Sequence, residues 1–544
     1  MRAAELFVRC LENEGVEYIF GIPGEENLDV MDALLESPIR FVTVRHEQGA
    51  AFMADVYGRL TGRPGVCLAT LGPGATNLIT GVADANMDRA PLIAIAGQGS
   101  THRLHKESHQ ILDLVKLFEP ISKYATRLRE PEIIPEVVRK AFKVAKAEKP
   151  GCSFIDFPEN IAGAEMAEKR PLKVQEARPP VPPQEKIAQA AELITAAKHP
   201  LVMAGNGVIR AGATAALEAF AGRLGIPVTK TFMAKGAIPR SHPMSLGTAG
   251  LTANDYIACG FDRADLVICV GYDIVEYHPH LWHRNPDQKI VHIDQLPAEV
   301  DEHYILEVGV VGEIAAGLRA LAERVQPRME NWAANLRLTI DQEAAEHAGD
   351  TGFPVKPQKI LWDLRQVLEA EDILISDVGA HKMWVARLWG AEAPNTCIIS
   401  NGFASMGIGV PGAIAAKLAY PDKNVVTVTG DAGFMMNSQE IETALRLGLS
   451  LVILIWNDSK YGLIKWHQDK RFGRNSHIDF TNPDFVKYAE SFGAKGFRVE
   501  SAGQLAPLLH EALNCGTVAV VDCPVDYAEN MKLTEKLGGL VCPI

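Results

Sequence analysis

At 544 residues the chain is longer than a single core usually spans, and about 150 residues per domain points to three or four domains. With 47% hydrophobic and 22% charged residues it has the apolar material for several buried sheets, which excludes a mainly disordered chain. Its 54 basic against 67 acidic residues leave a net charge of −13, which excludes binding by phosphate neutralisation, so no nucleic-acid partner is expected.

From the N-terminus, Ala3, Leu6, Phe7, Cys10 and Leu11 follow helical spacing with no basic segment and apolar block before them, so no secretory leader is expected. Short apolar runs ending in glycine then alternate with helical patterns: residues 16–20 before Gly21, 65–71 before Gly72 and 92–96 before Gly97. This is the rhythm of strand-helix units in a parallel sheet. Proline-rich residues 170–183 lack periodicity and read as a linker. A second series has strands expected at 201–204, 266–270 and 290–293, and a helix over 314–325. Polar residues 326–357 separate it from a third series, with strands at 373–375, 425–429, 451–456 and 518–521. The expectation is an α/β chain of three doubly wound domains with mainly parallel sheets, spanning 1–168, 184–326 and 357–530, with a C-terminal tail over 531–544. The longest apolar runs are strand-sized, against the roughly 20 residues of a membrane helix. Nine scattered cysteines without a C-x-x-C pair read as reduced thiols. A cytoplasmic protein with no membrane partner is expected.

Open parallel sheets bind ligands at the carboxyl ends of their strands, so the Gly-rich loops are where chemistry should lie. The segment VVTVTGDAGFMMNSQEIETALRLGLSLVILIWNDSKYG, residues 425–462, is the most informative. A strand ends at Thr429, Gly430 turns, Asp431 projects from the strand end, and a helix-compatible run over 437–447 leads to a second strand ending in Asn457 and Asp458. The two acids are 27 residues apart, one strand-helix-strand unit, so both can stand at adjacent strand ends. Hard oxygen ligands there suit Mg²⁺, which takes one or two carboxylates and completes its shell with phosphate oxygens. The amides of Ala432 and Gly433 are placed to hold such a phosphate. Two helix N-caps would leave the same pair of acids. Glu47 follows the apolar run 41–44 and precedes a helical run over 50–60, where a solvated helix-start glutamate is equally at home. Histidines 102, 105 and 109 recur at helical spacing with no acid or cysteine to join them and read as a polar loop; 278, 280 and 283 read as surface. Gly205-Asn206-Gly207 is too short a signal for a dinucleotide site.

GDAGF followed at this distance by NDSKYG resembles the diphosphate and metal motif of the thiamine-diphosphate enzymes. The resemblance extends to IFGIPG at 19–24, the run Arg45-His46-Glu47-Gln48-Gly49-Ala50, and Gly72-Pro73-Gly74-Ala75-Thr76-Asn77. It implies thiamine diphosphate and Mg²⁺ as cofactors, with Asp431, Asp458 and the carbonyl of Lys460 as metal ligands and Gly430, Ala432, Gly433 and Tyr461 along the diphosphate. It implies that Glu47 hydrogen-bonds the pyrimidine N1′, favouring the tautomer that takes the C2 proton. NGFASMGIGVPG at 401–412 resembles the loop that bends the cofactor, with Met406 beneath it and the carbonyls of Ala404 and Met406 toward the pyrimidine. Asp377-Val378-Gly379-Ala380-His381 resembles a second diphosphate loop, with Gly379 and His381 as contacts and alanine at 380 where glutamine is frequent. His109-Gln110 resembles the loop that brings a glutamine near the reacting carbon, making Gln110 a candidate substrate contact.

Within that family the chain is most similar to the acetolactate synthases of the catabolic, flavin-independent type, through Val270-Gly271-Tyr272-Asp273, Glu276-Tyr277, the run YAESFGA at 488–494 and Pro524-Val525-Asp526-Tyr527. The flavin-dependent type carries an arginine- and aspartate-rich motif where this chain has residues 271–279, and a tryptophan where it has His467. With no arginine in 271–279 and two acids, Asp273 and Glu276, to repel phosphates, FAD is not expected. The implied reaction is decarboxylating condensation of two pyruvates to 2-acetolactate and CO₂ through a hydroxyethyl-thiamine diphosphate carbanion, in a homodimer or homotetramer with active sites at subunit interfaces. Another 2-oxoacid decarboxylase or carboligase would share the cofactor apparatus. A non-catalytic nucleotide-binding protein would have no use for Glu47, Asp431 and Asp458 together.

Overall fold

The computed structural model describes residues 1–250, 256–328 and 330–530; the expected tail over 531–544 lies outside them. Three six-stranded sheets organise the chain, and every strand pairing in them is parallel. The first contains β1 (Tyr18–Gly21), β2 (Arg40–Thr43), β3 (Gly65–Ala69), β4 (Leu92–Gln98), β5 (Tyr124–Arg127) and β6 (Cys152–Pro158), in the spatial order β2-β1-β3-β4-β6-β5. The second contains β7 (Pro200–Ala204), β8 (Val228–Lys230), β9 (Ser245–Thr248), β10 (Leu266–Val270), β11 (Lys289–Asp294) and β12 (Val308–Val311), ordered β12-β11-β10-β7-β8-β9. The third contains β13 (Ile373–Ser376), β14 (Cys397–Ile399), β15 (Val425–Gly430), β16 (Leu451–Asn457), β17 (Lys495–Arg498) and β18 (Val518–Pro524), ordered β14-β13-β15-β16-β18-β17. The first and third sheets share one connectivity, a repetition that no sequence repeat announces.

Most of the central strands were expected, β6 and β8 excepted, because a strand covered by helices on both faces reads as a continuous apolar run. β16 shows this, buried from Leu451 to Trp456. The short edge strands β5, β9, β12, β14 and β17 carry no such run, and sequence patterning did not place them. Residues 326–357, expected as a polar separator, contain the helix Ala334–Ala345. Its apolar side chains are few, but Leu336 and Ile340 are buried and Arg337 donates to the backbone carbonyls of Arg240, His242 and Ser245. Polar tethering across the chain supplies there what amphipathic patterning usually does.

The first and third domains share one apolar core. Helix Glu47–Thr61 lies along helix Gly409–Ala419, with Phe52, Val56, Ile375 and Ile414 in a single cluster. A Cβ at Gly412 would stand 3.0 Å from Val56 Cγ2 and 3.1 Å from Ile375 Cγ2, so glycine permits this approach. In the third sheet β13 and β15 are neighbours whose connections leave in opposite directions, the switch point where open sheets present a crevice. The loops after β13 and β15 both open there.

Candidate active site

β15 ends at Gly430, and Asp431 is the first residue of helix Asp431–Asn437, 1% exposed. Its Oδ2 accepts the Ser459 N–H at 2.7 Å and the Asn482 amide at 2.7 Å, and its Oδ1 accepts the Ala432 N–H at 2.9 Å. β15 and β16 pair with Gly430 opposite Trp456, so Asp458, two residues on, stands beside Asp431 at the adjacent strand end. Burial first, and then the charge of Asp431, push the Asp458 carboxyl from 3.8 to about 7. Two acids crowded together in a half-dry crevice are an arrangement that a divalent cation relieves. Among the described residues no three His, Cys, Asp or Glu side chains gather into a metal cluster. The pair therefore fits a cation that takes few protein ligands and draws the others from backbone, water and phosphate, as Mg²⁺ does. The helix-compatible run over 437–447 forms the helix Glu440–Arg446, and a separate helix, Asp431–Asn437, precedes it across Ser438 and Gln439.

His381 faces the same crevice. It lies in the first turn of helix Ala380–Leu388, and a Cβ on Gly379 or Gly430 would stand 2.8 Å or 3.4 Å from its Cε1. The ring is 2% exposed and its Nε2 has no hydrogen-bond partner among the described residues. Burial lowers its pKa to about 3, so it stays a neutral imidazole with a nitrogen to offer. The glycine-lined cradle and this orphaned nitrogen fit a diphosphate. Tyr461 is 41% exposed, its ring 5.2 Å from Phe480 and its N–H bonded to the Ile478 carbonyl, while the Lys460 side chain is tied to Asp479. The Tyr461 carbonyl accepts the Lys465 N–H at 2.9 Å, so what this pair has left for the crevice is the Lys460 carbonyl.

Asp377, fully enclosed, joins the pieces: its carboxylate accepts the N–H groups of Val378, Gly407 and Gly409 at 2.6, 2.9 and 3.1 Å and lies against Gly433, where a Cβ would be 3.2 Å from its Cγ. It thus ties the loop after β13 to residues 401–409, where Ala404, at φ 57°, and Met406 are both half-buried. Asn437 adds a bond to the Gly407 carbonyl at 2.8 Å and reaches Gln48 Oε1 of the first domain at 3.3 Å.

Glu47 is the first residue of helix Glu47–Thr61, three residues earlier than the apolar pattern suggested, because His46 caps it by accepting the Gln48 N–H. It is 9% exposed; Asn77 donates to its Oε2 at 3.0 Å, and Oε1 faces Gly74. Gln110, exposed and at φ 59°, lies over the same turn, where a Cβ on Gly72 would meet its Cβ at 2.9 Å. Glu440, fully buried, accepts the N–H groups of Arg45 and His46, each at 3.1 Å, and fixes the Glu47 turn to the third domain. The structure thus brings Glu47 and Gln110 to one turn, and Asp431, Asp458 and His381 to one crevice. Asp377, Glu440 and Asn482 are positioning groups that sequence reading missed. Asp377 stood in a quoted motif without a role, and Asn482, 51 residues beyond Asp431, has no spacing signal.

In the middle domain the two acids meet different fates. Asp273 is paired with Arg89 at 2.9 Å and Lys149 at 3.2 Å, so it is not the bare charge the sequence suggested. Glu276 accepts the Asn206 N–H on both oxygens at 3.0 Å, plugging the Gly205-Asn206-Gly207 turn, whose glycines lie directly on the Gly271 backbone.

Comparison with known proteins agrees with this architecture. Sequence models of the thiamine pyrophosphate enzymes match residues 1–117 as the N-terminal TPP binding domain, 187–321 as the central domain and 377–523 as the C-terminal TPP binding domain. The chain is 37% identical to acetolactate synthase of Bacillus subtilis (strain 168) over 541 residues, covering 98% of this chain and 94% of that one. It is 36% identical to the catabolic acetolactate synthase of Raoultella terrigena over 546 residues, 98% and 97% of the two chains. A probable acetolactate synthase large subunit of Methanocaldococcus jannaschii is 35% identical over 571 residues, 100% and 96%.

Proposed function

This chain belongs to the thiamine pyrophosphate enzymes, in their acetolactate-synthase-like branch, and from that premise we propose that it condenses two pyruvates to 2-acetolactate with loss of CO₂, using Mg²⁺ and no flavin. The observation that carries the reading is the pairing of Asp431 with Asp458 at adjacent strand ends, beside the orphaned His381 nitrogen. Bound thiamine diphosphate supplies a nucleophilic carbon and an electron sink for decarboxylation. Asp431, Asp458 and the Lys460 carbonyl hold Mg²⁺; His381, Gly379, Gly430, Ala432, Gly433 and Tyr461 line the diphosphate; and Ala404 and Met406 support the pyrimidine. Glu47, with Oε2 held by Asn77, presents its other oxygen to the pyrimidine N1′. Gln110, over the same turn, meets the substrate.

The absence of flavin from the reading is supported by Glu276, whose carboxylate takes the Asn206 N–H at the turn where a dinucleotide phosphate would sit. Exposed Phe403, Met435 and Met436 leave apolar surface beside the crevice, which supports a homo-oligomer whose second copy covers it. Purified protein given pyruvate, thiamine diphosphate and Mg²⁺ should form acetolactate, be colourless and run as a dimer or tetramer. Acetaldehyde as the sole product would assign a decarboxylase instead. Bound FAD whose removal abolishes activity would overturn the flavin-free reading.

A further inference from the structure

Residues 399–407 carry Ala404 and Met406, yet hang on the first domain. Asp84 Oδ1 accepts the Ser400 hydroxyl at 2.7 Å and the Ser405 N–H at 3.2 Å. One turn on, Asp88 accepts the Asn401 and Gly402 N–H groups at 3.1 and 2.5 Å and pairs with Arg59 at 3.0 Å. The other Arg59 nitrogen donates to the Ile399 carbonyl at 2.8 Å. Behind Asp84 lies Asp55, on the helix that Glu47 opens and fully buried. Among the described residues neither Asp55 oxygen, nor Asp84 Oδ2, receives a hydrogen bond from any other group. Two acids in such a dry space cannot both stay ionised, and Arg59, the cation that acts on them, is bound to Asp88 and the Ile399 carbonyl. Burial, and next the charge of Asp84, hold Asp55 well above the ordinary carboxyl range; burial and Asp88 raise Asp84 to about 7.

We propose that Asp55 is a protonated positioning residue: its carboxyl O–H donates to Asp84 Oδ2, leaving Asp84 Oδ1 to hold Ser400 and Ser405 and so to set the loop that presents Ala404 and Met406. This rests on the reading of that loop as the cofactor's support. It makes the helix that Glu47 opens responsible also for holding a loop of the third domain.

The test follows hydrogen exchange of the 399–407 amides, and the Kd for thiamine diphosphate with Mg²⁺ by titration calorimetry, in the full chain. Asp55→Ala should speed exchange across the loop and weaken cofactor binding by about tenfold, the effect of one lost hydrogen bond to a charged group. Asp55→Asn keeps a neutral donor and should leave both within about twofold of wild type. Ser400→Ala, which removes one of the bonds to Asp84, should speed exchange in the same stretch, and decides the matter if Asp55→Ala does not fold. A merely structural Asp55 would lower the thermal midpoint without moving the loop amides. Unchanged exchange in Asp55→Ala and Ser400→Ala overturns the proposal, as does an Asp55→Asn protein that is unfolded or as perturbed as Asp55→Ala. In wild type, added cofactor and Mg²⁺ should slow exchange at 404–407. Lack of that protection would refute the cofactor reading of the loop while leaving the acid pair to be judged by the ligand-free protein.

Discussion

Replacing Asp458 by asparagine should stabilise the protein without ligand and shrink the further stabilisation that ligand brings. Burial and the neighbouring Asp431 raise the Asp458 carboxyl from 3.8 to about 7, so the folded chain resists its ionisation. At about 1.36 kcal/mol per pKa unit, keeping that group charged at pH 8 costs roughly 4 kcal/mol, which a neutral residue of the same shape does not incur. In a unit the size of the third domain this amounts to a melting-temperature rise on the order of 8–16 °C. With Mg²⁺ and thiamine diphosphate at about 100 times Kd, wild type should gain about 2.7 kcal/mol by mass action, and the variant, with one of two carboxylates gone, should lose most of that gain. Scanning calorimetry at pH 8, with and without both ligands, reads the two effects as a higher ligand-free midpoint and a smaller ligand-induced rise in the variant. The reasoning fails if ligand-free Asp458→Asn melts at or below wild type, or if it keeps the full ligand-induced rise.

Glu47→Gln should bind thiamine diphosphate with near wild-type affinity and turn over on the order of 10²-fold more slowly, checked by calorimetry beside steady-state kinetics; unchanged C2 proton exchange would contradict the role given to Glu47. Gly402→Ala would bring a Cβ within 2.8 Å of Asp88 Oδ1 and 2.9 Å of the Met87 carbonyl oxygen, and should destabilise by about 1–3 kcal/mol in denaturant titration. Glu276 is raised from 4.5 to about 7, first by burial, so the folded chain binds more protons than the unfolded one between those values. Its contribution to stability is complete below pH 4.5 and lost as pH rises through 7, and the wild-type midpoint should fall more steeply from pH 5 to 8 than that of Glu276→Gln; equal slopes would count against it.

The juxtaposition of the two acids was legible because it depends on local order. Asp431 and Asp458 are separated by one strand-helix-strand unit, and in a parallel sheet that distance alone returns the chain to the same edge. The buried central strands were legible for a similar reason, since a strand covered on both faces must be apolar throughout. Glu47 could be read as a helix-start residue, but not as one tethered by Asn77 and held against the third domain through Glu440.

What composition, periodicity and motif spacing determined by themselves was the class of fold, the three-part division and the strand ends where ligands meet glycine. What only the tertiary structure decided was which distant groups share a space: Asp377 gathering three loops, Asp55 pressed on Asp84, Glu276 filling a turn that otherwise reads as a weak dinucleotide signal, and Asp273 neutralised by Arg89 and Lys149. The physical reason is that repeat spacing encodes the backbone path. The charge state and partner of a buried acid depend instead on the burial and neighbours it meets after folding, and those neighbours stand as many as 395 residues away in the chain.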